Sequence, residues 1–287
     1  MSQHLLFIVM IAEGFTPEEG HPPRSALARL YLSGESMRHR SAVALDAIWS
    51  GVWLGMLGER DFHAIDAAYY EQRPSYRTLE HNRHGLFEWE EHALTRHFPT
   101  SGSIRLIGAG GGREVLALLE RGFAVEAYEC NPALLQSANE LLASTGAAAR
   151  IAYLARDCSP PAAATCDGVI VGWSAYMLIN GRRRRIAFLR DLRQGLAART
   201  PLLLSFFTRT GTEKRLDLLV RVANMVRRLR GAEPVEAGDD LTTIYVHRFT
   251  QEDVHEELSA AGFQLVEYRQ EGPGGYDSGF AVARATG

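Results

Sequence analysis

The sequence predicts an α/β fold, a three-layer αβα sandwich with a mostly parallel sheet, preceded by a helical N-terminal cap. Two observations carry that prediction. From about residue 101 onward, short apolar runs alternate with stretches of helical periodicity, the pattern of repeated βα units. Before residue 100 that alternation is absent, and the periodic stretches read as helix only.

The clearest unit lies at 103–140. An apolar run at 104–107 reads as a buried parallel strand. Gly108, Ala109, Gly110, Gly111 and Gly112 follow it, and Val115, Leu116, Leu118 and Leu119 then sit at helical spacing. A second strand at 123–128 ends at the acidic Glu129. Glycines leave the main chain bare, so a ligand can lie against it. The next helix aims its free N–H groups at the same place. A carboxylate at the tip of the neighbouring strand can accept both hydroxyl hydrogens of a ribose. Together these features predict a nucleoside-binding site.

The dinucleotide fingerprint G-x-G-x-x-G needs a third glycine where this chain has Arg113, so that match fails. Glycines 108, 110 and 112 give G-x-G-x-G instead. With Glu129 in register, the stretch resembles the first motif of the class I S-adenosylmethionine-dependent methyltransferases. The resemblance covers about residues 101–287. It implies a Rossmann-like sandwich with a seven-stranded sheet, its last strand antiparallel, and an insertion at about 212–241. Residues 1–100 form the cap and are not assigned by it.

The resemblance also implies the cofactor, S-adenosyl-L-methionine, and a set of residues around it. These are Gly108, Ala109, Gly110 and Gly112 in the turn, then Glu129, Cys130 and Asn131 after the second strand. Asp157, with Cys158 beside it, holds the position that contacts the adenine amino group. Gly172 and Trp173 follow the fourth strand, 167–172, where Trp173 can set an aromatic face beside a sulfonium. Tyr70, with Tyr69 and Tyr76, comes from the tyrosine-rich stretch 67–82, which in many relatives folds over the cofactor. The N/D-P-P-Y motif of the DNA-directed enzymes is absent, since the chain reads G-W-S-A-Y there.

The other segments follow in order. The apolar run 5–12 is too short to span a bilayer and lacks a cleavage site. After the Pro/Gly-containing stretch 16–23, helices are expected at 25–32, 41–57 and 85–98. His81, His84, His92 and His97 lack the spacing of a complete metal set, and no metal is expected. Beyond Glu129, a helix spans 131–143 and a third strand 149–154. Arg182 to Arg185 read as the solvated face of a helix. A fifth strand at 200–207 leads into a basic amphipathic helix, 213–230, placed to shape a substrate pocket. A strand-like run at 242–249 comes next. Thr250 and Asp253 form a capping-box start, and runs at 263–268 and 279–284 pair as a closing hairpin.

Composition sets the outer limits. The 287 residues carry a formal net charge of −3, which gives no general attraction to nucleic acid or an anionic membrane. Three cysteines with no zinc spacing fit a reducing cytoplasm. The expected activity is methyl transfer to O or N of a small-molecule acceptor. His247 is the first choice for a base that removes the acceptor's proton, followed by Tyr176, Asp239 and Asp240. A non-methylating use of the same cofactor, an NAD-dependent oxidoreductase and a non-catalytic cofactor-binding protein are the alternatives. The oligomeric state stays open, with a homodimer among the options.

Overall fold

Alternating burial along the strands explains how the layers form. In the computed structural model, which describes residues 25–147, 149–160, 165–209, 213–270 and 278–287, Leu202, Leu204 and Phe206 of one strand enter one core. Leu203 between them enters the core on the opposite face. Successive side chains of a strand point to opposite faces, so a strand buried on both sides must be apolar throughout. The runs at 5–12 and 16–23 lie outside the described residues.

The chain divides into two compact units, Met1–Leu45 and Asp46–Gly287. Helix α1 (Ala26–Met56) is continuous, where the sequence suggested two helices. Nothing between them breaks a helix: no proline is present, and Gly34 costs only about 1 kcal/mol. Within the second unit, α2 (Glu59–Glu71) is followed by a 3₁₀ turn, Pro74–Arg77, and the short α3 (Leu79–Asn82). Helix α4 (Glu88–His97) then leads to the sheet.

The sheet elements are β1 (Ser103–Ile107), β2 (Ala124–Glu129), β3 (Ile151–Tyr153), β4 (Gly168–Val171) and β5 (Pro201–Thr208). Next come β6 (Asp239–Leu241), β7 (Tyr245–Phe249), β8 (Phe263–Arg269) and β9 (Ser278–Ala285). Helices α5 (Arg113–Glu120), α6 (Pro132–Ser144), α7 (Arg182–Gln194), α8 (Lys214–Arg230) and α9 (Gln251–Ala260) lie between them. Strand β1 pairs in parallel with β2 and β4, β2 with β3, and β4 with β5. Strand β9 runs antiparallel between β5 and β8. The continuous order is thus β3-β2-β1-β4-β5-β9-β8, the expected seven strands with the last antiparallel.

Strands β6 and β7 are an addition. Since β9 fills one edge of β5 along Pro201–Phe207, β4 and β7 must share the other. Strand β4 takes Leu202 and Leu203, and β7 takes Phe207 and Thr208 beyond the tip of β4. The β6–β7 hairpin therefore stands over the carboxyl ends of the strands, the side on which open α/β sheets bind ligands.

Layers on each face are apolar helix stripes. Val115 and Leu118 of α5 pack with Ile104, Leu106 and Ile170 on one side. Phe188, Leu189 and Leu192 of α7 and Val254 and Leu258 of α9 pack on the other. The capping box of α9 forms as expected, with Thr250 Oγ1 accepting from Asp253 N at 3.1 Å. The arginine run is not wholly solvated: Arg185 is 1% exposed and faces Glu257.

His92 and His97 of α4 close on a single carboxylate of β8, Glu267, at 3.0 and 2.5 Å. Burial raises the Glu267 pKa, but hydrogen bonds with His97, His92 and Arg269 outweigh it and bring it from 4.5 to about 2. A depressed carboxylate pKa adds stability above the unfolded value, lost as pH falls through the folded one. Glu267→Gln is therefore expected to lower the urea midpoint at pH 7. The difference from the parent should fade between pH 4.5 and about 2. Parallel pH curves for the two proteins would contradict the pairing.

Candidate active site

Strand ends converge on one cavity of about 260 Å³. Its floor begins at the turn after β1. Gly108 N and Ala109 N both donate to Tyr128 O at 2.9 Å, tying the turn to the end of β2. Gly112 caps α5 in the left-handed region at φ 96°, which a side chain would resist. Gly111 is needed for space: a Cβ there would stand 2.1 Å from Tyr76 O and 2.6 Å from Asn82 Oδ1. The 3₁₀ turn and α3 thus rest directly on the glycine turn.

Glu129 closes the next strand, 5% exposed. Its Oε2 accepts from Gly110 N at 2.7 Å, and its Oε1 accepts from Cys130 N at 2.9 Å and Asn131 N at 2.7 Å. Three main-chain donors fix the carboxylate before any ligand arrives. Asn131 also caps α6, its Oδ1 accepting from Ala133 N and Leu134 N. Burial, with the Glu129 charge beside it, pushes the Cys130 thiol up to about 12, which removes it as a nucleophile at neutral pH.

After β3, Asp157 adopts φ 59°. Both its carboxylate oxygens are buried and lack a hydrogen-bond partner among the described residues. His63 Nε2 is 3.7 Å from Oδ2, too far for a hydrogen bond. Burial raises the Asp157 pKa, and Arg156 offsets part of the rise. Buried acceptors of this kind are ordinarily satisfied by a donor.

Helix α2 forms the opposite wall with Asp66, Tyr69 and Tyr70, joined by Tyr76, His81 and Asn82. Tyr69, Tyr70 and Tyr76 contact one another edge-on at 5.2 and 5.4 Å between ring centres. Burial lowers the His81 pKa, helped by the Arg113 charge, so its imidazole is neutral at pH 7.

Arg113, the residue that breaks the dinucleotide fingerprint, has a structural reason. Its guanidinium grips Glu90 of α4 through two bonds of 2.6 and 2.7 Å and meets Glu114 at 2.9 Å. It also lies 4.0 Å over the Phe87 ring. A glycine there could not tie α4 to the start of α5.

The cavity therefore brings together Gly108, Ala109, Gly110, Glu129, Cys130, Asn131, Asp157, Cys158, Trp173 and Tyr70. Gly112 and Gly172 sit behind it as supports. A Cβ on Gly172 would stand 2.2 Å from Gly108 O, so the two strand ends could not approach.

His247 and Tyr176 do not line it. Ile244, just before β7, and Val246 on it line the cavity, while Tyr245 and His247 do not. His247 Nδ1 lies 2.7 Å from Asp239 Oδ1, which also accepts from Tyr245 OH at 2.7 Å. Asp240 is held by Arg215 and Arg248. Tyr176 is 1% exposed and donates to Glu257 at 2.5 Å. These groups pin the hairpin and the core; none of them lines the cavity. Sequence reasoning missed Asp66, His81, Arg113 and Arg156. A signal for α2 existed in Phe62, Ile65 and Tyr69 at helical spacing.

No protein-family model matches the sequence, and no curated protein matches it. Solved structures do. An S-adenosylmethionine-dependent methyltransferase from Methanosarcina mazei superposes with a TM-score of 0.55, covering 70% of this chain and 99% of its own, at 17% identity. The chain has the fold of the class I S-adenosylmethionine-dependent methyltransferases. Two further class I relatives in fold are similar at 17% identity. The 1,6-didemethyltoxoflavin-N1-methyltransferase of Burkholderia thailandensis, solved with 1,6-didemethyltoxoflavin and S-adenosylhomocysteine, gives 0.53 over 80% of this chain and 92% of its own. An amino pentose methyltransferase from Micromonospora echinaspora, solved with S-adenosylmethionine, gives 0.51 over 77% and 96%. In this class I fold the β6–β7 hairpin and α2 are the parts that wall the cavity from above. No single described helix is long and apolar enough to cross a membrane.

Proposed function

We propose that this chain is an S-adenosylmethionine-dependent methyltransferase acting on O or N of a small molecule. One observation carries the reading: the bare glycine turn, the fixed carboxylate of Glu129 and the carboxylate of Asp157, without a hydrogen-bond donor among the described residues, border a single cavity at the ends of β1, β2 and β3. Adenosine offers the donors this set requires, two ribose hydroxyls and an exocyclic amine. The cofactor would supply a methyl group on a sulfonium, already activated for in-line attack.

The chain's part is then to hold, orient and keep out water. Glu129 takes a ribose hydrogen, and Asp157 takes the amine. Trp173, against Phe87 at 5.0 Å, offers its ring to the sulfonium. Beyond them, Met177, Phe207, Ile244 and Val246 give the acceptor an apolar wall with Thr242 as its polar point. That wall suits a neutral small molecule. Three free thiols favour a reducing cytoplasm.

Calorimetry separates this reading from an NAD-dependent oxidoreductase. S-adenosylmethionine and S-adenosylhomocysteine are expected to bind, and NAD is not. Glu129→Ala should weaken S-adenosylhomocysteine by roughly 10- to 100-fold, the worth of a hydrogen bond to a charged group. Binding of NAD alone, or an unchanged affinity in the variant, would remove the assignment.

A further inference from the structure

The last turns of α1 carry no charge from Ala47 to Met56, on any side of the helix. One side is accounted for. Ala47, Ser50, Gly51, Leu54 and Gly55 are buried, and the two glycines let α8 come close. A Cβ on Gly51 would stand 2.6 Å from Leu219 O, and one on Gly55 2.6 Å from Val226 Cβ. Arg227 of α8 also donates to Leu54 O at 3.1 Å and Leu57 O at 3.0 Å. These turns of α1 and α8 therefore form one joined pair.

The outer side of the pair is bare. Ile48, Trp49, Trp53 and Met56 of α1 are exposed, as are Met225 and Leu229 of α8. Trp49 and Trp53 meet edge-on, 5.6 Å between ring centres. With 3.6 residues per turn, Ile48 on one helix and Met225 and Leu229 on the other flank the contact on its outer side. The six side chains thus make one strip. A helix that is apolar all round is ordinarily covered all round.

Area and charge say what covers it. At exposures of 37–83%, the six side chains bare on the order of 700 Å². The largest apolar patch of a monomer is about 300–600 Å², whereas each partner in a standard protein interface gives up about 800 Å². Trp and Met are also enriched in such interfaces. Exposed Arg221 and Arg228 border the strip on α8, and exposed Asp46, bonded to Arg215, borders it on α1. A two-fold axis that lays α1 of one copy across α8 of the other brings these opposite charges together. An anionic bilayer offers no such match to a chain of net charge −3.

We infer that this strip seats a second copy of the chain, giving a two-fold dimer closed by α1 and α8. The inference does not depend on which cofactor the cavity takes.

Sedimentation equilibrium of the full chain tests it. The wild type should sediment at micromolar concentration with twice the 31.8 kDa mass of one chain. Trp49→Glu combined with Leu229→Glu should halve that mass, and so should Trp53→Glu alone. All three positions are exposed, so circular dichroism should match the parent. Tyr153→Glu, at an exposed site on β3, should leave the dimer intact. A monomeric wild type overturns the inference. If that monomer floats with vesicles of phosphatidylglycerol and phosphatidylcholine, the strip is a lipid-binding face; if it does not, the cover is residues 1–24 of the same chain or another protein. A dimer that survives in both strip variants, or one lost equally in Tyr153→Glu, also overturns it.

Discussion

Arg185→Met is expected to destabilise the fold by about 3–5 kcal/mol, because it strands a carboxylate in the core. Arg185 and Glu257 are each 1% exposed. The guanidinium reaches Glu257 through Nε at 3.0 Å and Nη2 at 2.7 Å, and Nη2 also meets Glu236 at 2.8 Å. Desolvation alone would ease the arginine toward neutrality, but the Glu257 hydrogen bonds and charge outweigh it and hold its pKa well above the usual value. Tyr176 fills the remaining side of the carboxylate. Removing the cation leaves the anion with nothing to offset its lost hydration. Changing both partners, as Arg185→Met with Glu257→Gln, should recover most of the loss, since the amide oxygen still accepts from Tyr176. Urea unfolding reads both. A single variant within 1 kcal/mol of the parent would mean that water reaches Glu257.

Gly111→Ala should lower S-adenosylhomocysteine affinity at least tenfold while the sheet stays intact. Gly111 lacks a positive φ, so alanine meets no backbone strain at that position. The obstacle is steric and lies across the cavity rim, with the added Cβ 2.1 Å from the carbonyl of Tyr76. A backbone atom cannot rotate away as a side-chain tip can. The segment 74–82 must lift off the turn and carry Tyr76, His81 and Asn82 with it. Limited proteolysis should then cut between 72 and 84, with circular dichroism near that of the parent. Unchanged affinity would show that this segment contributes little to the closed cavity.

The legibility of the molecule in its sequence followed burial on two faces. Strands β4 and β5 are mostly apolar because helices cover both sides, and β1 carries Ile104, Leu106 and Ile107 around a buried Arg105, so these runs stood out. Glu129 was found because one βαβ unit fixes its distance from the glycine turn. Helix α2 was harder to see, since Asp66 interrupts its apolar stripe. Its burial depends on Arg156, 90 residues away, and no local pattern carries that pairing. The hairpin was ambiguous for a related reason. Tyr245, Val246 and His247 are all buried. Alternation separates His247 from Ile244 and Val246 but cannot say which set faces the ligand. The arginine run misled in the same way, because three of its members reach solvent and the fourth is sunk against Glu257.

The way β4 and β7 divide one edge of β5 has an evolutionary corollary. The turn 242–244 gives the cavity two of its side chains, Thr242 and Ile244, and none of the residues of the glycine turn or the β2 tip. Lengthening a surface loop raises its closure entropy only slowly. On the proposed methyl-transfer reading, descendants of this chain can therefore trade one acceptor for another by rewriting a few residues there, with the donor half of the chemistry left as inherited.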